Sequence, residues 1–180
     1  MDITQPLHLW SFQAMEACEV LEKSGVLRTD WSRTPINWRP AYQWMQEEME
    51  QRGILLENFA PIWAWHSCAG ELGGRPTYNT ARALLTDMQL AEGICVIELE
   101  APTEVCLLSS YGRFCELLDC ILDNEKPERE AFLDMFEVPS IASYDDIQSA
   151  LPSLKMDWVL DIRYLDMKPD RWDYDWKKSV

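Results

Sequence analysis

Short apolar runs of four to eight residues alternate along this chain with amphipathic stretches of about a dozen, and no other feature restricts its fold as much. The clearest run is Ile94 to Ala101, where Cys95, Ile97 and Leu99 alternate with Val96, Glu98 and Glu100 at the period of a strand. His8 to Phe12, Pro61 to His66, Val105 to Leu108 and residues 157–166 read as further strands. Between them, Gln13 to Ser24 places Ala14, Cys18 and Leu21 on one helical face, with Gly25 just past the end. Pro40 suits the first turn of a helix reaching Arg52, on which Ala41, Met45 and Met49 share a face. Thr80 is expected to cap a helix ending near Gly93, and Ser109 or Ser110 one that runs to Asp123. Helical turns are expected near 128–136 and 144–150. This order predicts an α+β (mixed α/β) fold. It consists of one compact domain over residues 1–168, with a small mixed sheet, continuous or split, flanked by helices. An acidic, aromatic tail follows at 169–180.

Charge limits the partners. Thirty-one acidic and 16 basic side chains leave a formal net charge of −15, spread over both halves of the chain. No basic lobe exists to neutralise phosphates, so direct binding to nucleic acid is not expected, and an anionic membrane would repel the surface. A basic protein partner fits this charge, for instance one that itself processes nucleic acid. No apolar run has the length of a membrane helix and no export signal is evident, so a cytoplasmic, reducing setting is expected. The six cysteines lack a Cys-x-x-Cys pair and read as free, small core residues.

Motifs for chemistry are few. His8 and His66 are the only histidines, and His66-x-Cys68 is too little for a zinc site. The stretch Gly70 to Arg75 is glycine-rich but lacks the Gly-Lys-Ser/Thr ending of a phosphate loop. The unusual feature is aromatic: of nine tryptophans, six fall in the first 65 residues. Trp63 and Trp65 share one strand face and offer a wall on which a flat ring can stack. Trp10, Gln13, Arg28, Tyr42 and Ser109 lie on the neighbouring segments as polar or aromatic lining. A core built from large side chains is the alternative reading. Glu98 and Glu100 share a face of the clearest strand. They are either its solvated side or, in a cleft, a general base or a ribose ligand.

Leu9-Trp10-Ser11-Phe12-Gln13, Ala41-Tyr42-Gln43-Trp44-Met45 and Pro61-Ile62-Trp63-Ala64-Trp65 resemble a bacterial family called domain of unknown function 3841. Val96 to Glu100 with Pro102, Val105 to Ser109, and Ile147-Gln148 fit the same pattern. This chain departs from it at Ser110, where an aspartate is expected, and at Phe114-Cys115, where Trp-His is expected. At the level of fold, the opening strand, the helix ending in glycine and the second helix are also similar to ADP-ribosyltransferase-type domains. That resemblance implies NAD as the cofactor or substrate in an aromatic cleft. It also implies His8 or Gln13 on the first strand and Glu98 or Glu100 as the acid that handles the ribose.

Overall fold

The computed structural model describes residues 5–68, 74, 76–138 and 145–165, so the tail expected at 169–180 and most of the glycine-rich loop lie outside the described residues. Eight strands are present among them: β1 (Leu7–Ala14), β2 (Val26–Leu27), β3 (Ile62–Ser67), β4 (Ile94–Ala101), β5 (Leu107–Ser110), β6 (Ile147–Leu151), β7 (Leu154–Lys155) and β8 (Val159–Leu165). Five α-helices accompany them: α1 (Met15–Ser24), α2 (Arg39–Gln51), α3 (Tyr78–Leu84), α4 (Asp87–Glu92) and α5 (Tyr111–Leu122). Six strands form one sheet in the order β5-β6-β3-β1-β4-β8, and β2 pairs with β7 in a separate two-stranded ribbon. The chain is a single α+β domain, as its alternation predicts. Every described ladder is antiparallel, where the sequence suggested a mixed sheet.

The two faces of the sheet have different covers. One buries Leu9, Ile62, Ala64, Ile97, Leu99 and Leu151 beneath α1 and the ribbon, whose Leu21, Leu27 and Leu154 complete the cluster. Helix α1 reaches the sheet with Ala17, Cys18 and Leu21 and stops at Gly25, whose φ of 78° few other residues adopt cheaply. Each fully buried leucine or isoleucine in this cluster contributes about 2 kcal/mol of transfer free energy. The opposite face has two covers. Helices α2 and α5, with a 3-10 segment at Arg129–Phe136, enclose Leu107, Ala150 and Trp63. Helices α3 and α4 lie over Trp10, Ile94 and Val96, to which they bring Ala81 and Leu90.

Four expectations are corrected here. Residues 144–150, expected as a helical turn, contain strand β6, which pairs with both β3 and β5. Its Gln148-Ser149-Ala150 has weak strand propensity, but a position between two strands with every side chain buried decides the matter. The helix expected from Thr80 to Gly93 is two helices. Thr77 caps the first, with Thr80 as its partner three residues on. Thr86 and Gln89 form a second capping box that starts α4. Strand β5 begins at Leu107 because Thr103–Val105 turns as a 3-10 segment. Finally, the cysteines are not all free: Cys18 of α1 is joined to Cys95 of β4 by a disulfide, with Cα atoms 6.7 Å apart. Cys106, Cys115 and Cys120 are thiols outside that disulfide.

Candidate functional site

The registers of five ladders put one residue from each of six strands in a single row on the face covered by α2 to α5. The row reads Ser109, Gln148, Trp65, Trp10, Glu98, Asp161, from β5 to β8. Four residues singled out in the sequence (Ser109, Trp65, Trp10 and Glu98) therefore stand side by side although they come from four different strands. The two ends of the row differ in character.

At the β5 end the row itself is buried. Gln148 donates from Nε2 to Ser109 Oγ at 3.2 Å, and both residues are buried. Trp65 is buried beneath Tyr111, whose ring meets it edge-on at 5.0 Å between centroids. Burial raises the Tyr111 hydroxyl well above the ordinary tyrosine range, with the neighbouring Cys115 and Asp146 adding to the rise. Trp63, in the next row, is held between Tyr42 at 5.2 Å and Phe114 at 4.8 Å. Burial likewise raises Tyr42, offset in part by the Trp63 indole. The wall expected from Trp63 and Trp65 is thus already occupied by the protein's own rings, because α2 and α5 dock on it. Trp65 is part of the core and the half-buried Trp63 packs against it, so this wall is built into the packing. Burial also raises the Cys115 thiol here and, on the opposite face of the sheet, that of Cys106 to about 12.

At the β4 end the row opens to solvent. His8 Nε2 lies 2.7 Å from Glu98 Oε1, the imidazole N–H donating to the carboxylate. The His8 side chain is 44% exposed and that of Glu98 13%, so the carboxylate sits behind the ring. His8 also stacks on Trp10 with centroids 4.6 Å apart, which fixes the plane of the imidazole. Trp10 is itself buried, and its indole N–H has no hydrogen-bond partner among the described residues. Glu100, directly opposite His8 on β4, is exposed. Asp161 lies across from Glu98 on β8 and accepts from Arg163 Nε at 2.7 Å. A carboxylate held by an oriented imidazole can accept a proton, orient a hydroxyl or stabilise a developing cation. No group of three or more metal-ligating side chains occurs among the described residues.

The other predicted residues lie elsewhere. Gln13 is on the α1 face of β1, where its Nε2 donates to Ser11 Oγ at 2.8 Å. It borders a shallow pocket with Phe12, Leu85, Gln89 and Gly93. Arg28 pairs with Glu57 at 3.1 Å and lies 5.2 Å over the ring of Phe59, so its contacts are structural. In the sequence, His8 is a candidate for the ribose only through the resemblance, Gln148 lies on a segment that fits the family pattern but carries no role, and Tyr111 and Asp161 are not singled out. A usable signal for His8 was present, since it shares a strand face with Trp10. For Gln148 the helical reading of its segment hid the position.

An antiparallel α+β domain with a histidine–glutamate pair on one strand-pair face is the class that these observations define. The chain belongs to the family described as Domain of unknown function (DUF3841), which matches residues 8–156, from β1 to the turn before β8. No curated protein and no solved structure matches the chain. No described helix is long and apolar enough to cross a membrane.

Proposed function

We propose that the chain binds a nucleotide of the NAD type at the open end of the row and acts on its N-glycosidic bond, as an ADP-ribosyltransferase or a glycohydrolase. The observation that carries this reading is the 2.7 Å pair between His8 and Glu98, planted on Trp10 and reached from solvent through His8. In such a reaction the bond from ribose C1′ to the nicotinamide nitrogen breaks, and its electrons leave with neutral nicotinamide. The ribosyl cation is stabilised by Glu98 and attacked by water or by an acceptor hydroxyl or amine, whose proton passes to a neighbouring carboxylate or to solvent. His8 holds the carboxylate in place and offers its second ring nitrogen to a ribose hydroxyl. Glu100, exposed beside them, is the second acid of the same surface. The fold-level resemblance supports the reading by analogy.

The test is a thermal melt of the full chain with NAD, together with release of free nicotinamide followed by chromatography. Saturation at about 100 times the dissociation constant raises the melting temperature by about 5–10 °C in a domain of this size. The shift and the release should both disappear in Glu98→Gln and His8→Ala while the unliganded melts stay close to the parent. No shift and no nicotinamide in the parent chain refutes the proposal. The non-catalytic reading, supported by the net charge of −15, then takes its place. In it the acidic surface engages a basic protein, and affinity falls steeply with added salt.

A further inference from the structure

Helix α1 has 10 residues, of which Ala17, Cys18 and Leu21 are buried. So short a helix is not stable by itself in water. Its start is weak as well, since Ala14 occupies the N-cap and offers no side-chain acceptor to the first turn. Leu21 is the large side chain that it buries, and an exposed hydrogen bond between Tyr164 and Glu22 adds a tie to β8. Cys18 carries a link of another kind, the disulfide to Cys95 of β4, whose ends are 77 positions apart in the chain. The bond shares its core cluster with Leu9, Ile97 and Leu99, and neither cysteine is exposed. The Cys95 sulfur also lies 3.6 Å from the carbonyl oxygen of Gln13 and 3.7 Å from that of Ala14. As a thiol it can donate to either, so the fold accommodates the reduced form without an unmet donor at this position.

We propose that Cys18 and Cys95 form a redox latch on α1. Closed, the bond ties the helix to β4. Open, the helix is held chiefly by Ala17 and Leu21 and lifts from the sheet, uncovering Leu9, Ile97 and Leu99. Opening consumes a dithiol, either a small one or a protein with two neighbouring thiols. One thiolate of the dithiol attacks one sulfur of the pair, forms a mixed disulfide and releases the other cysteine as a thiolate, which takes up a proton. The second thiolate of the dithiol then displaces the first cysteine, which is protonated in turn. Two electrons and two protons thus pass to the pair, and the dithiol leaves as its own disulfide. Closing is the reverse, with a small disulfide such as oxidised glutathione taking the two electrons and leaving as two thiols. Both sulfurs lie beneath the helix, so exchange awaits an unwinding of α1 around Cys18, which exposes the bond without breaking it. Uncatalysed exchange is therefore slow, on the order of minutes to hours. His8 and Glu98 face the other side of β1 and β4, so the latch does not rest on the nucleotide reading.

Hydrogen exchange of the full chain in its two oxidation states decides the matter. After treatment with oxidised glutathione, peptide mapping of the chain alkylated in denaturant should find Cys18 linked to Cys95. Excess dithiothreitol on the folded chain should open that bond within hours. Amides of residues 15–24 should then exchange about a hundredfold faster, the factor to which the usual contribution of a disulfide corresponds, while those of β1 and β4 keep their protection. Returning oxidised glutathione should restore the slow exchange. Cys18→Ala should exchange like the reduced parent in either buffer, and Cys120→Ala, outside the pair, should follow the parent through both states. If Cys18→Ala does not fold, the reduced parent alone carries the test. Alkylation of both Cys18 and Cys95 in the chain treated with oxidised glutathione overturns the proposal. So does a bond that outlasts about a day in dithiothreitol. Unchanged exchange of α1 on reduction overturns it too, as does a loosening of β1 and β4 together with α1, which would make the bond a staple of the whole fold.

Discussion

Two carboxylates on the α2–α5 side of the sheet lie beneath the surface, and their surroundings differ. Glu48 of α2 has a side chain 7% exposed and is gripped by two guanidinium groups. Arg52 Nε donates to one oxygen at 2.9 Å, and Arg129 Nη2 to the other at 2.6 Å. The arginines are walled by rings, Arg129 4.9 Å over Trp44 and Arg52 4.9 Å over Phe136. The charge is thus matched by permanent cations, and the cluster straps the Arg129–Phe136 segment to α2. Glu98, 13% exposed, has a half-exposed histidine in that position. An imidazole bonded through Nε2 keeps a second ring nitrogen to present to a ligand, whereas the two guanidinium groups are held by Glu48 and the rings beneath them. The first arrangement is suited to holding the fold and the second to doing chemistry. The aromatic residues divide the same way: most tighten the α2–α5 side, whereas Trp10 supports His8.

The sharpest challenge to this division falls on Trp65. As a core residue beneath Tyr111, its replacement by alanine should cost about 3–5 kcal/mol, which lowers the melting temperature by about 10 °C. Urea denaturation measures it. A loss below about 1 kcal/mol would mean that the ring is not part of the core, and it would return Trp65 to the ligand surface. Next in size is Glu48→Gln, which removes the charge between Arg52 and Arg129. A loss of about 2–3 kcal/mol is expected, because a buried charge network is broken on one side only. Nucleotide binding should be unaffected. Glu98→Gln should show the converse, with stability within about 1 kcal/mol of the parent and activity gone. If Glu98→Gln instead unfolds the chain while Glu48→Gln does not, the two carboxylates have been assigned the wrong way round.

Much of the architecture is legible in the alternation of short apolar runs and amphipathic stretches, because burial of one face dictates the period. That is why β1, β3 and β4 and helices α1, α2 and α5 fall close to where the residues predict. The row of site residues is not legible in the same way. The pairing of His8 with Glu98 spans 90 positions and depends on a register that no local pattern encodes. Period two alone puts Glu98 and Glu100 on one face, but only the ladder shows that Glu98 is shielded while Glu100 is exposed. The tryptophans misled for a related reason. Same-face rings on a strand look alike in sequence whether a helix or a ligand covers them, and here α2 and α5 do. Strand β6 was hidden because Gln148-Ser149-Ala150 is small and polar, which suits the space beneath the large rings of β3 but gives no strand signal.

The smallest effect concerns the second histidine. His66 lies next to the end of the same β3 that carries the tryptophans, its Nδ1 is 3.3 Å from Ser67 Oγ, and burial lowers its pKa below the ordinary 6.5. The folded chain therefore resists protonating this ring, while the unfolded chain takes up the proton at its usual pH. The resulting stability is fully present above pH 6.5 and is lost as pH falls below it, towards the folded-state value. Unfolding free energies measured by urea titration between about pH 7.5 and pH 5 should fall with acidity in the parent. They should fall less in His66→Gln, and the difference between the two slopes isolates this ring from the carboxylates that titrate lower. Equal slopes would mean that the fold does not shield His66 from protonation. The contrast between a histidine built into the fold and one presented at its surface would then be lost.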